Sequence, residues 1–148
     1  AQLASDATVG GVPPPRTEPP TPADQTPSAT EPSLALLATA AIAAAAALAA
    51  DDYAAYQKLF PTLALAAKGA PLPKLEPGTD LKSARRSFEP WSTAAADLLK
   101  PYRAQLGLKI FQCPMAPVLG KGRWVQRGQP LKNPFFGSAM ADCGAEVP

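Results

Sequence analysis

Seventeen consecutive residues, Leu34 to Ala50 (LALLATAAIAAAAALAA), carry no charge and are mostly alanine. Alanine is the best helix former, so this run has one backbone fate, a helix. Its surroundings decide between a membrane span and a packed helix. The run lies at the short end of the ~17–25 residues that cross a bilayer, and it lacks the Lys/Arg or aromatic flanks of a span. Leu34, Leu37, Ala41, Ala44, Ala45 and Leu48 instead form one apolar stripe at helical spacing, which predicts a helix packed against another. Ser33, after Pro32, is the expected N-cap. Asp51 and Asp52 end the uncharged run, and an Asp there can cap a second helix from Tyr53. The expectation is an antiparallel helical hairpin, Ser33 to Ala50 and Asp52 to Lys68, with Pro61 kinking or restarting the second arm. One continuous helix to Phe60 is the competing reading.

Residues 1–32 contrast with this run. They hold eight of the nineteen prolines and few aliphatic side chains. A segment of this kind buries too little apolar surface to offset its ordering entropy and reads as a disordered, Pro-rich tether. The Ala-Gln start is compatible with signal-peptide cleavage and hence with export to the periplasm or cell envelope. On that reading the chain meets a membrane only through a removed signal or a partner.

After the hairpin, Gly69 to Thr79 is a breaker-rich loop. Asp80 can cap a third helix whose apolar positions Leu81, Ala84, Phe88, Trp91, Ala95, Leu98 and Leu99 fall near one face, with a kink or break expected at Pro90. That helix is expected to end near Lys100-Pro101 or Tyr102. Leu106 to Gln112 reads as a short strand leading into Cys113. The fold class expected is mainly α: a helical hairpin plus one or two further helices in a small bundle (residues 33–106), with a Gly/Pro-rich C-terminal lobe of short β-strands (residues 107–148) packed on it. Ile110, Phe135 and Phe136 are the expected contacts between the two parts.

The lobe contains every sulfur of the chain. Cys113-Pro114-Met115 and Met140-Ala141-Asp142-Cys143 form two short clusters, with Trp124 between them. Thiolate and thioether sulfurs are soft donors that favour Cu(I), Ag(I) or Zn over Mg or Ca. The chain has no His. This removes imidazole-based zinc sites and the usual base for a nucleophilic Cys, so catalysis is not expected. Cys-X-Met spacing can place two sulfurs on one side of an extended strand, and Met140 and Cys143 share a face of a helical turn. Gly120, Gly122 and Gly128 allow Lys121 to Gln126 to fold back as a hairpin. Trp124 could then cover a bound monovalent ion by a cation–π contact or simply close a small core. The candidate metal ligands are Cys113, Met115, Met140 and Cys143, for Cu(I) or Ag(I). The alternative is a Cys113–Cys143 disulfide and no cofactor, common in exported chains. Its loop of 29 intervening residues gives ~3–4 kcal/mol by chain entropy. Between Leu98 and Ala141 there are seven basic residues and no acidic one, a solvated basic face or a dock for an acidic partner. The net charge of +2 gives no case for nucleic acid.

The pattern Cys113-Pro114-Met115-Ala116, Trp124-Val125-Gln126, Asn133-Pro134-Phe135-Phe136-Gly137 and Met140-Ala141-Asp142-Cys143-Gly144 resembles an uncharacterised bacterial periplasmic domain. That domain occurs alone or at the C-terminus of adaptor subunits of heavy-metal (copper/silver) efflux pumps. The Ala-Leu run into Asp51-Asp52 and the Arg85…Phe88 helix resemble it too, so the likeness spans about Leu34 to Gly144. It implies an efflux-associated copper- or silver-handling module, with the same four sulfur residues as ligands and a protein partner in the envelope. Phe stands at position 135 where that pattern usually has Tyr, and these 148 residues contain no barrel or lipoyl-like adaptor motif.

Overall fold

The structure, a computed structural model, describes residues 25–148, with side chains from residue 33 onward. The chain divides into two units, Ala1–Ser33 and Leu34–Pro148. Of the first, only residues 25–33 are described, all within a helix, and the call of a disordered tether lies outside the described residues for 1–24. That helix, α1 (Gln25–Ala49), starts about two turns before Ser33. Ser33 is therefore inside the helix and does not cap it, and residues 25–32 are helical where the proline content predicted a tether. Pro27 falls in the first turn, where a missing N–H has no intrahelical partner to lose.

Within Leu34–Pro148 all six stripe residues of α1 are buried, and so are Ala38, Ala40 and Ala47 on neighbouring faces. Small side chains let surrounding elements approach from more than one side. Among the described residues no helix is long and apolar enough to cross a membrane. The helix ends in a Schellman motif: Asp52 N–H bonds the Ala47 carbonyl at 2.9 Å and Asp51 N–H bonds that of Leu48 at 3.2 Å. Asp51 holds the left-handed position of the motif, with φ 59°, a place usually given to Gly. Asp52 then caps α2 (Tyr53–Ala66), its carboxylate accepting from Ala55 N–H at 2.9 Å. Two helices joined at Asp51-Asp52 replace the continuous-helix alternative.

Helix α3 (Leu81–Leu99) opens on a reciprocal capping box between Asp80 and Ser83. It runs through Pro90 as one helix, as α2 runs through Pro61, so neither proline divides its helix. Packing holds α3 together: Ala84, Phe88, Trp91, Ala95 and Leu99 are buried on one side, with Phe88 against Trp91 at 5.8 Å and edge-on to Tyr56 at 6.1 Å. A 3-10 turn (Lys100–Tyr102) and a single helical turn, α4 (Arg103–Leu106), lead to Gly107 at φ 66°, where the chain reverses into the sheet.

The sheet is antiparallel, in the order β2-β1-β3, with β1 Lys109–Cys113, β2 Gly122–Gln126 and β3 Ala145–Glu146. The hairpin register sets Phe111 opposite Trp124 and Cys113 opposite Gly122. Helix α3 closes the outer edge of β2 with hydroxyls: Ser92 donates to the Arg123 carbonyl at 2.8 Å and Thr93 accepts from Arg123 N–H at 3.0 Å. An edge strand with its backbone groups satisfied in this way is blunted against further pairing. The architecture is mainly α with one small sheet, as expected. Ile110, Trp124, Val125 and Phe135 join the helical residues in one continuous core.

Candidate functional site

The turn after β1 and the C-terminal turns bring the two cysteines together. Cys113, the last residue of β1, is wholly buried, and its Sγ lies 3.4 Å from that of half-buried Cys143. Both are free thiols. The Cys143 thiol is pushed above the ordinary thiol range, first by its hydrogen bond with Cys113, then by desolvation and the nearby Cys113 and Asp142 charges.

Each wall of this site has an identifiable cause. Asn133 is fully buried and uses both ends of its amide: Nδ2 donates to the Cys143 carbonyl at 2.8 Å, while Oδ1 accepts from Phe135 N–H at 2.8 Å and Phe136 N–H at 3.3 Å. Its own N–H bonds the Ala141 carbonyl at 2.8 Å. One side chain thus ties the Asn133–Gly137 turn to the segment carrying Cys143. Gln126 does the same for the preceding loop, accepting from Trp124 Nε1–H and Lys132 N–H, each at 2.8 Å, and donating to the Gly128 and Pro130 carbonyls. The Gln129–Pro130 bond inside this loop is cis.

Glu89 of α3, with no exposed surface, lies beside Gly122, the residue opposite Cys113 in the hairpin. Its carboxylate accepts from Val118 N–H at 2.9 Å and from Leu119 N–H, anchoring the turn that follows the first sulfur cluster. Gly122 leaves no room for a side chain: a Cβ would lie 2.6 Å from the Phe135 ring, 2.8 Å from Ala116 Cβ and 3.1 Å from Glu89 Cγ.

The sequence-predicted residues separate here. Cys113 and Cys143 meet. Cys143 N–H bonds the Met140 carbonyl at 3.1 Å, so these two share one tight turn as their spacing predicted. Met115 does not follow Cys113 along an extended strand: β1 stops at Cys113, Pro114-Met115 turn away, and Met115 is 60% exposed. Proline has no N–H for the ladder, which is the physical reason the strand ends before it. Trp124 is fully buried, stacked on Phe111 at 5.7 Å and edge-on to Phe135 at 5.6 Å. It is part of the core.

Asn133 and Glu89 were not read from the sequence as parts of a site. For Asn133 the available signal was an Asn-Pro turn among aromatic residues. For Glu89 it was a second row along α3, Glu89, Ser92, Ala96 and Leu99, alternating three and four apart beside the apolar stripe; all four are buried. Among the described residues no group of three or more His, Cys, Asp or Glu is placed to hold a metal ion. The two thiol sulfurs, 3.4 Å apart, are a pair of soft donors. Compared with known proteins, the chain matches no family model, no curated protein and no solved structure.

Proposed function

We propose that this chain is a dithiol module that binds one soft monovalent cation, Cu(I) or Ag(I), in an exported compartment and sequesters it or passes it to efflux machinery. The observation that carries the reading is the 3.4 Å approach of Cys113 Sγ and Cys143 Sγ at the end of a rigidly supported strand. The two thiolates are the principal ligands, and Met140, in the same turn as Cys143, is the third donor. Exposed Met115 is a peripheral donor for capture or release. A binder is favoured over an enzyme because the chain offers no His as a base to either cysteine. The resemblance of the sulfur motifs to a domain of copper/silver efflux adaptors supports the same compartment and a protein recipient.

Anaerobic titration with Cu(I) against a chromophoric competitor, on reduced protein, tests this. One tight equivalent that Cys113→Ala or Cys143→Ala abolishes, and Met140→Leu weakens, is the expected result; affinity unchanged by Cys113→Ala refutes it.

A second reading is favoured by the same distance. Thiols this close need only a small displacement to form a disulfide, which would staple β1 to the C-terminal segment of a structural subunit docked to an envelope complex. A thiol count on protein isolated without reductant separates the two: two free thiols favour the metal module, none favours the staple.

A further inference from the structure

Three of the five large hydrophobic side chains that stand exposed among the described residues, Met115, Val118 and Leu119, belong to one turn. That turn has a fixed backbone. Glu89 holds the Val118 and Leu119 N–H groups from within the core, Gly120 N–H bonds the Ala116 carbonyl at 2.9 Å, and Ala116 is buried. A rigid, polar anchor beneath an apolar exposed tip is not required by the core. Exposed apolar clusters rimmed by charge mark binding surfaces.

Beside the turn a cleft of about 230 Å³ lies between Pro117, Phe135 and Phe136 on the apolar side and Lys82, Arg85 and Arg86 of α3 on the other. Arg85 is paired with Asp51. Lys82 and Arg86, one helical turn apart and both exposed, form no ion pair among the described residues. Asp80, two residues from Lys82 and within reach of its charge, caps Ser83, and Glu89, three residues from Arg86, is committed to the Val118 and Leu119 N–H groups. The surface therefore offers a side-chain-sized apolar slot with two exposed cations at its rim.

We propose that this surface docks a protein partner through an acidic segment carrying one large apolar side chain. The side chain enters between Pro117 and Phe136, flanking carboxylates meet Lys82 and Arg86, and Val118 and Leu119 cover the contact. A concave slot favours a protruding side chain over a lipid surface, and the charge complementarity sets the sign of the partner. The proposal is independent of whether the thiols bind metal.

The test is an NMR titration of isotope-labelled protein with an acetylated, amidated peptide of sequence DEFED. Saturable shifts at Lys82, Arg86, Val118 and Leu119 are expected, at least tenfold weaker binding for the Lys82→Glu/Arg86→Glu double variant, and a similar loss when the peptide phenylalanine is replaced by alanine. Leu119→Ser, in the exposed turn beside the slot, weakens binding several-fold with unchanged far-UV circular dichroism. Absence of saturation at millimolar peptide, equal binding by the charge-reversed variant, or shifts with phosphatidylglycerol vesicles but not with peptide would each overturn it.

Discussion

Arg85 of α3 and Asp51 at the end of α1 form a 2.6 Å ion pair that also binds the C-terminal segment to the helices. Arg85 Nη2 donates as well to the Leu48 carbonyl at 2.5 Å and Nε to that of Pro134 at 3.1 Å. Asp51 accepts from Ser138 N–H at 3.3 Å and from its hydroxyl. The pair explains why an Asp tolerates the left-handed position that closes α1, since three elements hold it there.

The Asp51 carboxyl titrates below its ordinary value, chiefly through the Ser138 hydroxyl and Arg85. A depressed folded-state value means that the contribution to stability is complete above the unfolded value, near 4, and is lost as pH falls through the folded one. Urea midpoints should therefore drop more steeply below about pH 4 in the wild type than in Asp51→Asn, which starts lower and changes less. Parallel curves would remove Asp51 from the acid transition.

Gly137 sits at φ 58°, and a Cβ there would lie 2.1 Å from Asp51 Oδ1 and 2.2 Å from Arg85 Nη2. Gly137→Ala should cost about 2–4 kcal/mol, combining the left-handed backbone with disruption of a polar network. Gly69→Ala, also at positive φ but with nothing within 4 Å, should cost only about 1–2 kcal/mol. Chemical denaturation of the two variants gives the comparison directly.

Glu89→Ala leaves two backbone N–H groups without an acceptor and should destabilise by about 2–3 kcal/mol. Glu89→Gln keeps an acceptor oxygen and should recover part of this. Amide hydrogen exchange at Val118 and Leu119 should speed up in Glu89→Ala before global unfolding does, which distinguishes loss of the anchor from general weakening.

At neutral pH the Cys143 thiol should alkylate more slowly than an ordinary exposed thiol, because its raised value lowers the thiolate fraction. In Cys113→Ala the hydrogen bond responsible is gone, so the value falls back and iodoacetamide labelling at fixed pH should accelerate. The proposed Cu(I) binding, which would require deprotonated thiols, should release protons and weaken as pH is lowered. Mass spectrometry of labelling and pH-dependent titrations read these effects.

The uncharged run Leu34–Ala50, the Asp51-Asp52 stop and the Asp80 cap marked where α1 ends and where α2 and α3 begin, because helix propensity, periodicity and capping act over one to four residues. The start of α1 at Gln25, ahead of the expected Ser33 cap, carried no such signal. The turn holding Met140 and Cys143 was legible for the same reason. Tertiary structure alone decided the rest. Cys113 and Cys143 are far apart in sequence. The segments that carry them are held by Asn133, which bonds the Cys143 carbonyl ten residues on, and by Glu89, which bonds Val118 and Leu119 N–H about thirty residues on, pairings no local spacing encodes. Pro90 and Pro61 signal breaks locally, yet burial of Phe88, Trp91 and Leu63 keeps their helices whole. Trp124 took its place in the core through its register opposite Phe111, and Met115 was turned outward because β1 ends where proline can no longer serve the sheet.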